Sequence, residues 1–228
     1  MMTRPMIPAG AALMLLTVFF ASCGTLPVIR PLDAAGTQAA EERCRLPFLE
    51  APHRLVHAIE AGSPERAMGT VLGVTLFDPL SGIVRSAILT LEGFVLFDAR
   101  YDGGVEVHRA FPPFDDPHFG ENMMDDIRLI FLAPQGRLLR AGTLDNGAIV
   151  CRYEDPRGRT IDVMVRPDGA WEIATYGRQI ERLRRVEALS VKNRIPEVVA
   201  LTGFFTVNYR LHMTLISAEP VSPGDIRY

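Results

Sequence analysis

Lysine is almost missing: Lys192 is the single one, and the other cations of the chain are arginines. That scarcity reads as genome composition rather than function. Acids outnumber bases at 27 to 24, so the strongly basic face that nucleic acid requires is not expected. The sequence has no Gly-x-Ser-x-Gly elbow, no phosphate-binding glycine loop and no His-Glu-x-x-His run. No cofactor is implied, and the expectation is a protein that is not an enzyme. Cysteine is also scarce, with three in the chain and none at metal-ligand spacing. Only one long apolar run occurs, from Ile7 to Phe20. At about 14 residues it falls short of the roughly 20 that a membrane-spanning helix needs.

What is present begins with the layout of a secretory signal. One positive charge, Arg4, precedes the apolar run, and the small residues Ala21 and Ser22 lead into Cys23. The tetrad Phe20-Ala21-Ser22-Cys23 resembles the bacterial lipobox, with phenylalanine where leucine is usual. The resemblance implies cleavage after residue 22 and a lipid anchor on Cys23. With Gly24 rather than aspartate after the anchor, it also implies the periplasmic face of the outer membrane. The expected organisation is a signal peptide at 1–22, a lipidated tether with a short helix at 23–45, and a β domain at 46–228. Cleavage would remove one base and no acid, leaving the mature chain slightly acidic.

With Cys23 assigned to lipid, Cys44 and Cys151 remain, in a compartment that permits disulfides. They either pair or sit as two buried thiols.

Residues 24–37 show no period and read as a tether, followed by a short helix near Gln38 to Arg45. Turn signals then recur: Gly62-Ser63-Pro64, Asp78-Pro79 with Ser81-Gly82, Glu92-Gly93, Asp102-Gly103-Gly104, Asp145-Asn146-Gly147, Asp155 to Gly158, and Pro167-Asp168-Gly169. Strand-length segments lie between them, as in an antiparallel meander. Phe205, Val207, Tyr209, Leu211, Met213 and Leu215 alternate with polar residues, which predicts one buried and one wet face. Val95, Phe97, Ala99 and Tyr101 alternate similarly, as do Ile161, Val163 and Val165, with Trp171 and Ile173 continuing the pattern. The segments around Met68 to Phe77 and Ile83 to Leu91 are apolar at both parities, predicting cover on both faces.

The rhythm breaks after Phe111. Phe119, Met123, Ile127, Ile130 and Phe131 recur at helical spacing, predicting an amphipathic helix inserted in the meander. Such a helix needs an apolar surface to rest on, and the sheet supplies one. The predicted fold is therefore all-β with accessory helices: a curved antiparallel half-barrel whose concave face is covered by the inserted helix.

This assembly resembles the LolA and LolB lipoprotein-carrier superfamily, closest to an uncharacterised LolB-like outer-membrane group. The likeness rests on the stretch from Gly93 to Gly103, on Asp125-Asp126-Ile127-Arg128-Leu129, and on the stretch from Asn208 to Leu215. It implies a carrier with lipid or acylated cargo, and the chain is expected to act as a monomer. LolB releases cargo through an exposed hydrophobic loop tip, and no residue here is matched to that tip.

Two sites are weighed against plain structure. His53 and His57 are four apart, but on a strand they merely share a face rather than chelate a metal. The acids Asp115, Asp116, Glu121, Asp125 and Asp126, with His118, suit either a divalent cation or the dipole of a helix start. The apolar face of Val95, Phe97, Tyr101, Trp171, Ile173, Phe205, Val207, Tyr209, Leu211, Met213 and Leu215, with Met123, Ile127 and Phe131 on the helix, is either an ordinary core or an acyl-chain cavity. The functions that follow are an envelope carrier, an assembly lipoprotein binding an envelope protein, or an enzyme using the acids at 115–126.

Overall fold

The computed structural model describes residues 25–63, 66–192, 194–204 and 208–227. The signal segment, Cys23, Phe205 and Val207 lie outside the described residues. Along the chain the elements are β1 (Arg30–Pro31), α1 (Ala34–Arg45), β2 (His53–Ser63), β3 (Arg66–Phe77), β4 (Val84–Leu89), β5 (Val95–Tyr101) and β6 (Val105–Ala110). After α2 (Phe119–Phe131) come β7 (Arg137–Thr143), β8 (Ile149–Glu154), β9 (Thr160–Val165), β10 (Trp171–Tyr176), β11 (Arg182–Lys192), β12 (Ile195–Gly203), β13 (Tyr209–Pro220) and α3 (Pro223–Arg227).

The strands form one antiparallel sheet of 13, in the order β1-β7-β8-β9-β10-β11-β12-β13-β2-β3-β4-β5-β6. It is open, with β1 at one edge and β6 at the other. Its curvature follows from reach. From β6 to β11 a flat sheet would measure about 34 Å across, whereas α2, 13 residues long, spans about 20 Å. Yet α2 lies against Val107 of β6 through Gly120 and bonds to Arg184 of β11 through Asp126. The sheet must curl around the helix for both contacts to form. Bulges assist that bend: the register slips past Leu139, Leu189 and Ile216. All three of these apolar side chains are exposed.

The main core fills the space between the sheet's inner face and the two longer helices, from Ala40 and Cys44 of α1 to Met124, Ile130 and Phe131 of α2. The inserted helix was expected over 119–131, and α2 occupies that span. The concave face holds α1 as well, which lies on β7, β8 and β9. The sulfurs of Cys44 on α1 and Cys151 on β8 are joined in a disulfide.

Three expectations need correction. The segment 24–37 is not a free tether in its described part. Arg30 and Pro31 pair with Thr143 and Gly142 of β7, and Asp33 caps α1 by accepting the Gly36 N–H at 2.7 Å, so the helix starts at Ala34. Gly142 makes the docking possible, because a Cβ there would collide with the Arg30 carbonyl. Second, the even positions of β9 are not wet. Asp162 and Met164 are buried because the leader covers this outer face, where Ile29 and Leu26 pack with Val150, Met164, Ala174 and Tyr176. Arg152 grips Asp162 with two bonds of 2.7 Å and donates to the Pro27 carbonyl at 3.0 Å, tying leader to sheet. Third, cover on both faces of β3 is partial: Phe77 is fully buried, whereas Leu72, Val74 and Leu76 are half-buried.

Candidate functional site

The inner face beneath α2 is built by strand alternation, and most of the expected apolar residues meet there. Phe97, Trp171, Ile173 and Met213 are buried, as are Ile127 and Phe131 from the helix. Tyr101, Met123, Tyr209, Leu211 and Leu215 are half-buried and pack against the same cluster. Val95 stays outside it, at the start of β5, where the register slips between Ile88 and Leu89 opposite. The face is occupied by the helices rather than open. Phe131 stacks on Phe77 with centroids 5.5 Å apart, and Phe119 meets Phe97 edge-on at 5.1 Å.

His57 lies under the same helix, its ring 5.7 Å from that of Phe131. Its Nε2 is buried with no hydrogen-bond partner, and burial lowers its pKa from 6.5 to about 4. The unfolded chain therefore binds the proton first as pH falls. Stability contributed by the neutral ring is intact above about pH 6.5 and is lost progressively down to pH 4, by roughly 3 kcal/mol. Urea titrations at pH 7.0 and 4.5 should show this loss in the native chain and a smaller one in His57→Leu. Equal losses would remove His57 as the cause. His53, on the same strand, stacks on Phe77 instead and makes a 2.8 Å contact from its Nδ1 to the Ala51 carbonyl.

One polar latch crosses the apolar interface. Asp126 of α2 accepts hydrogen bonds from the Nε of Arg184 on β11 and, at 2.6 Å, from the Tyr209 hydroxyl on β13. Burial raises the Asp126 carboxyl, against the pull of the Arg184 cation and the Tyr209 hydroxyl, and the Tyr209 hydroxyl is itself pushed up by burial. Gly203, paired with Tyr209, has no side chain, and a Cβ there would strike the Tyr209 ring. The glycine thus lets the ring lie across β12 toward the helix.

The acids at 115–126 do not converge. Asp116 accepts the backbone N–H of His118 at 2.8 Å, Asp126 faces inward, and Asp125 takes Arg157 at 2.8 Å and Arg159 at 3.4 Å. Only Glu121 sits in the first helical turn, so the helix dipole does not account for Asp125 and Asp126. Among the described residues no three His, Cys, Asp or Glu side chains are grouped to hold a metal.

Sequence reasoning missed an exposed apolar tip. Leu91 and Phe94 stand on the β4–β5 hairpin, 61% and 59% exposed, and Phe94 leans on Phe111 at 6.0 Å. The signal was available as apolar residues flanking Glu92-Gly93, where turns are ordinarily polar.

Among solved structures, a LolA superfamily protein from Nitrosomonas europaea superposes with a TM-score of 0.57 at 12% identity, covering 83% of this chain and 96% of that one. The fold is LolA-like. A domain named for outer membrane lipoprotein sorting, from Vibrio parahaemolyticus, gives a TM-score of 0.48 at 8% identity over 83% of this chain and 95% of that one. No family model and no curated protein matches the sequence. In the LolA-like fold seen here, α2 lies within the crossover from β6, at one edge of the sheet, to β7, beside the other edge. No strand ladder runs through it.

Proposed function

We propose that the protein is a lipid-anchored envelope carrier or acceptor, held to the outer membrane through Cys23, that shelters the hydrophobic part of a lipid or lipoprotein on the inner face of its sheet. The observation that carries this reading is the placement of α2: it covers a continuous apolar face yet contributes to no strand pairing. It can move aside without breaking a ladder. Each methylene of an incoming chain recovers about 0.8 kcal/mol, so ten or more offset a modest cost of opening. The exposed tip of Leu91, Phe94 and Phe111 supplies an apolar contact with a bilayer. The role is partition and exchange, with no bond chemistry.

The packing of the face supports a second reading. Phe97 and Ile173 are closed off beneath the helices, as in an assembly lipoprotein whose hollow is permanently filled and whose outer surface meets an envelope protein. Native mass spectrometry and organic extraction of protein from a bacterial periplasm separate the two. The carrier reading expects a stoichiometric acyl species and uptake of a fluorescent fatty acid, weakened on the order of tenfold in Leu211→Gln, which loses apolar burial. A clean apo mass with no uptake sinks it and leaves the assembly role.

A further inference from the structure

At the C-terminal half of α2 the side chains offer more hydrogen-bond donors than acceptors. A cleft of about 260 Å³ opens there between the helix, the loop at 133–135 and the β8–β9 turn. Its floor is apolar and continuous with the core through Leu132 and Ile161. Its walls carry Arg128, Arg157 and Arg159. Each guanidinium presents five N–H donors and accepts none.

The carboxylates present are already committed. Asp125 is shared among all three arginines, with Arg128 the most distant at 3.8 Å. Asp155 accepts from the Arg159 Nε at 2.6 Å and from the backbone N–H groups of Arg157 and Arg159. Arg184, at the back of the cleft, is bonded to Asp126. Three guanidiniums facing two carboxylates leave an excess of positive charge.

Two buried polar atoms in the wall have no partner. One is the Nε of Arg128, whose guanidinium lies 4.1 Å above the Tyr101 ring. The other is the Oγ1 of Thr175, a residue only 3% exposed, in the inner-face row between Ile161 and Arg184. Buried polar groups nearly always find partners, and both of these atoms belong to residues that line the same cleft. An oxyanion seated in the cleft would lie beside both residues, and guanidiniums bind phosphate oxygens in pairs.

Resting on the carrier reading above, we propose that this cleft binds the phosphate head group of an amphiphile whose acyl chain lies beneath α2. The volume agrees: it is below the roughly 300–1,000 Å³ of pockets that bury a whole drug-sized ligand, and so suits a head group and not the chain.

Calorimetric titration of the purified protein with dodecyl phosphate, dodecanol and inorganic phosphate tests this, using native chain, Arg157→Gln and Thr175→Val, each checked for an unchanged melting profile. Dodecyl phosphate is expected to bind at least tenfold tighter than dodecanol, with inorganic phosphate competing weakly. The preference should shrink severalfold in both variants while dodecanol binding stays constant. Inorganic phosphate binding as tightly as dodecyl phosphate overturns the head-group assignment in favour of a free-anion site. Equal binding of the two dodecyl compounds overturns the cleft and leaves the carrier reading standing. If neither dodecyl compound binds, the carrier reading fails, and inorganic phosphate decides the cleft: binding lost in Arg157→Gln keeps an anion site, and no binding removes it.

Discussion

Asp126→Ala is expected to lower the unfolding free energy by about 3–5 kcal/mol, the usual cost of stranding one partner of a buried ion pair. Arg184 is 3% exposed, so the charge left behind stays largely shielded from water. The Tyr209 hydroxyl loses its 2.6 Å bond to the helix in the same step. The damage has a direction, because Asp126 is the polar bond from the helix to both β11 and β13. The variant should therefore loosen α2 before the sheet, with amide protection falling first over 119–131. Denaturant unfolding followed by hydrogen exchange checks both parts. A loss below about 1 kcal/mol, or loosening that begins in the strands, would refute the latch. Pairing Asp126→Leu with Arg184→Met removes both charges together and should recover much of the stability, because apolar residues of similar volume commonly replace a buried ion pair at little cost.

Replacing both Cys44 and Cys151 with alanine is expected to cost about 4–5 kcal/mol in the chain-entropy account, since the bridge closes a loop of 107 residues. The bridge also fastens α1 to β8, so α1 and the leader that precedes it should become the least protected part of the molecule. Denaturant midpoints compared with and without a thiol reductant, alongside the double variant, measure the effect. Coincident midpoints under all three conditions would show that the helix holds by packing alone.

Much of the sheet was legible because turn signals bound the strands from β2 to β10 and alternation marks β5, β9, β10 and β13. Each Asp-Gly or Asn-Gly signal falls between two strands, and α2 occupies the span where the period changes from two to helical. Strands β11 and β12 were not read. Their bounding turns hold Ile180 and Arg194 at φ of 66° and 67°, a left-handed conformation that neither residue type announces. Asp126 and Asp162 were unreadable for another reason. Each looks like a solvated acid in its own segment, and its burial depends on arginines brought from elsewhere in the sheet or chain. Leader docking was hidden likewise, since β1 is two residues long and has no periodicity to show.

That docked leader has a mechanical consequence. If Cys23 carries a diacylglycerol, only three residue steps separate the acyl chains from Leu26, which already rests on the sheet's outer cluster. At full extension they span roughly 10 Å. Such a protein is moored rather than tethered. Its freedom to tumble would be curtailed, and the strands that the leader covers would stay close to the lipid surface.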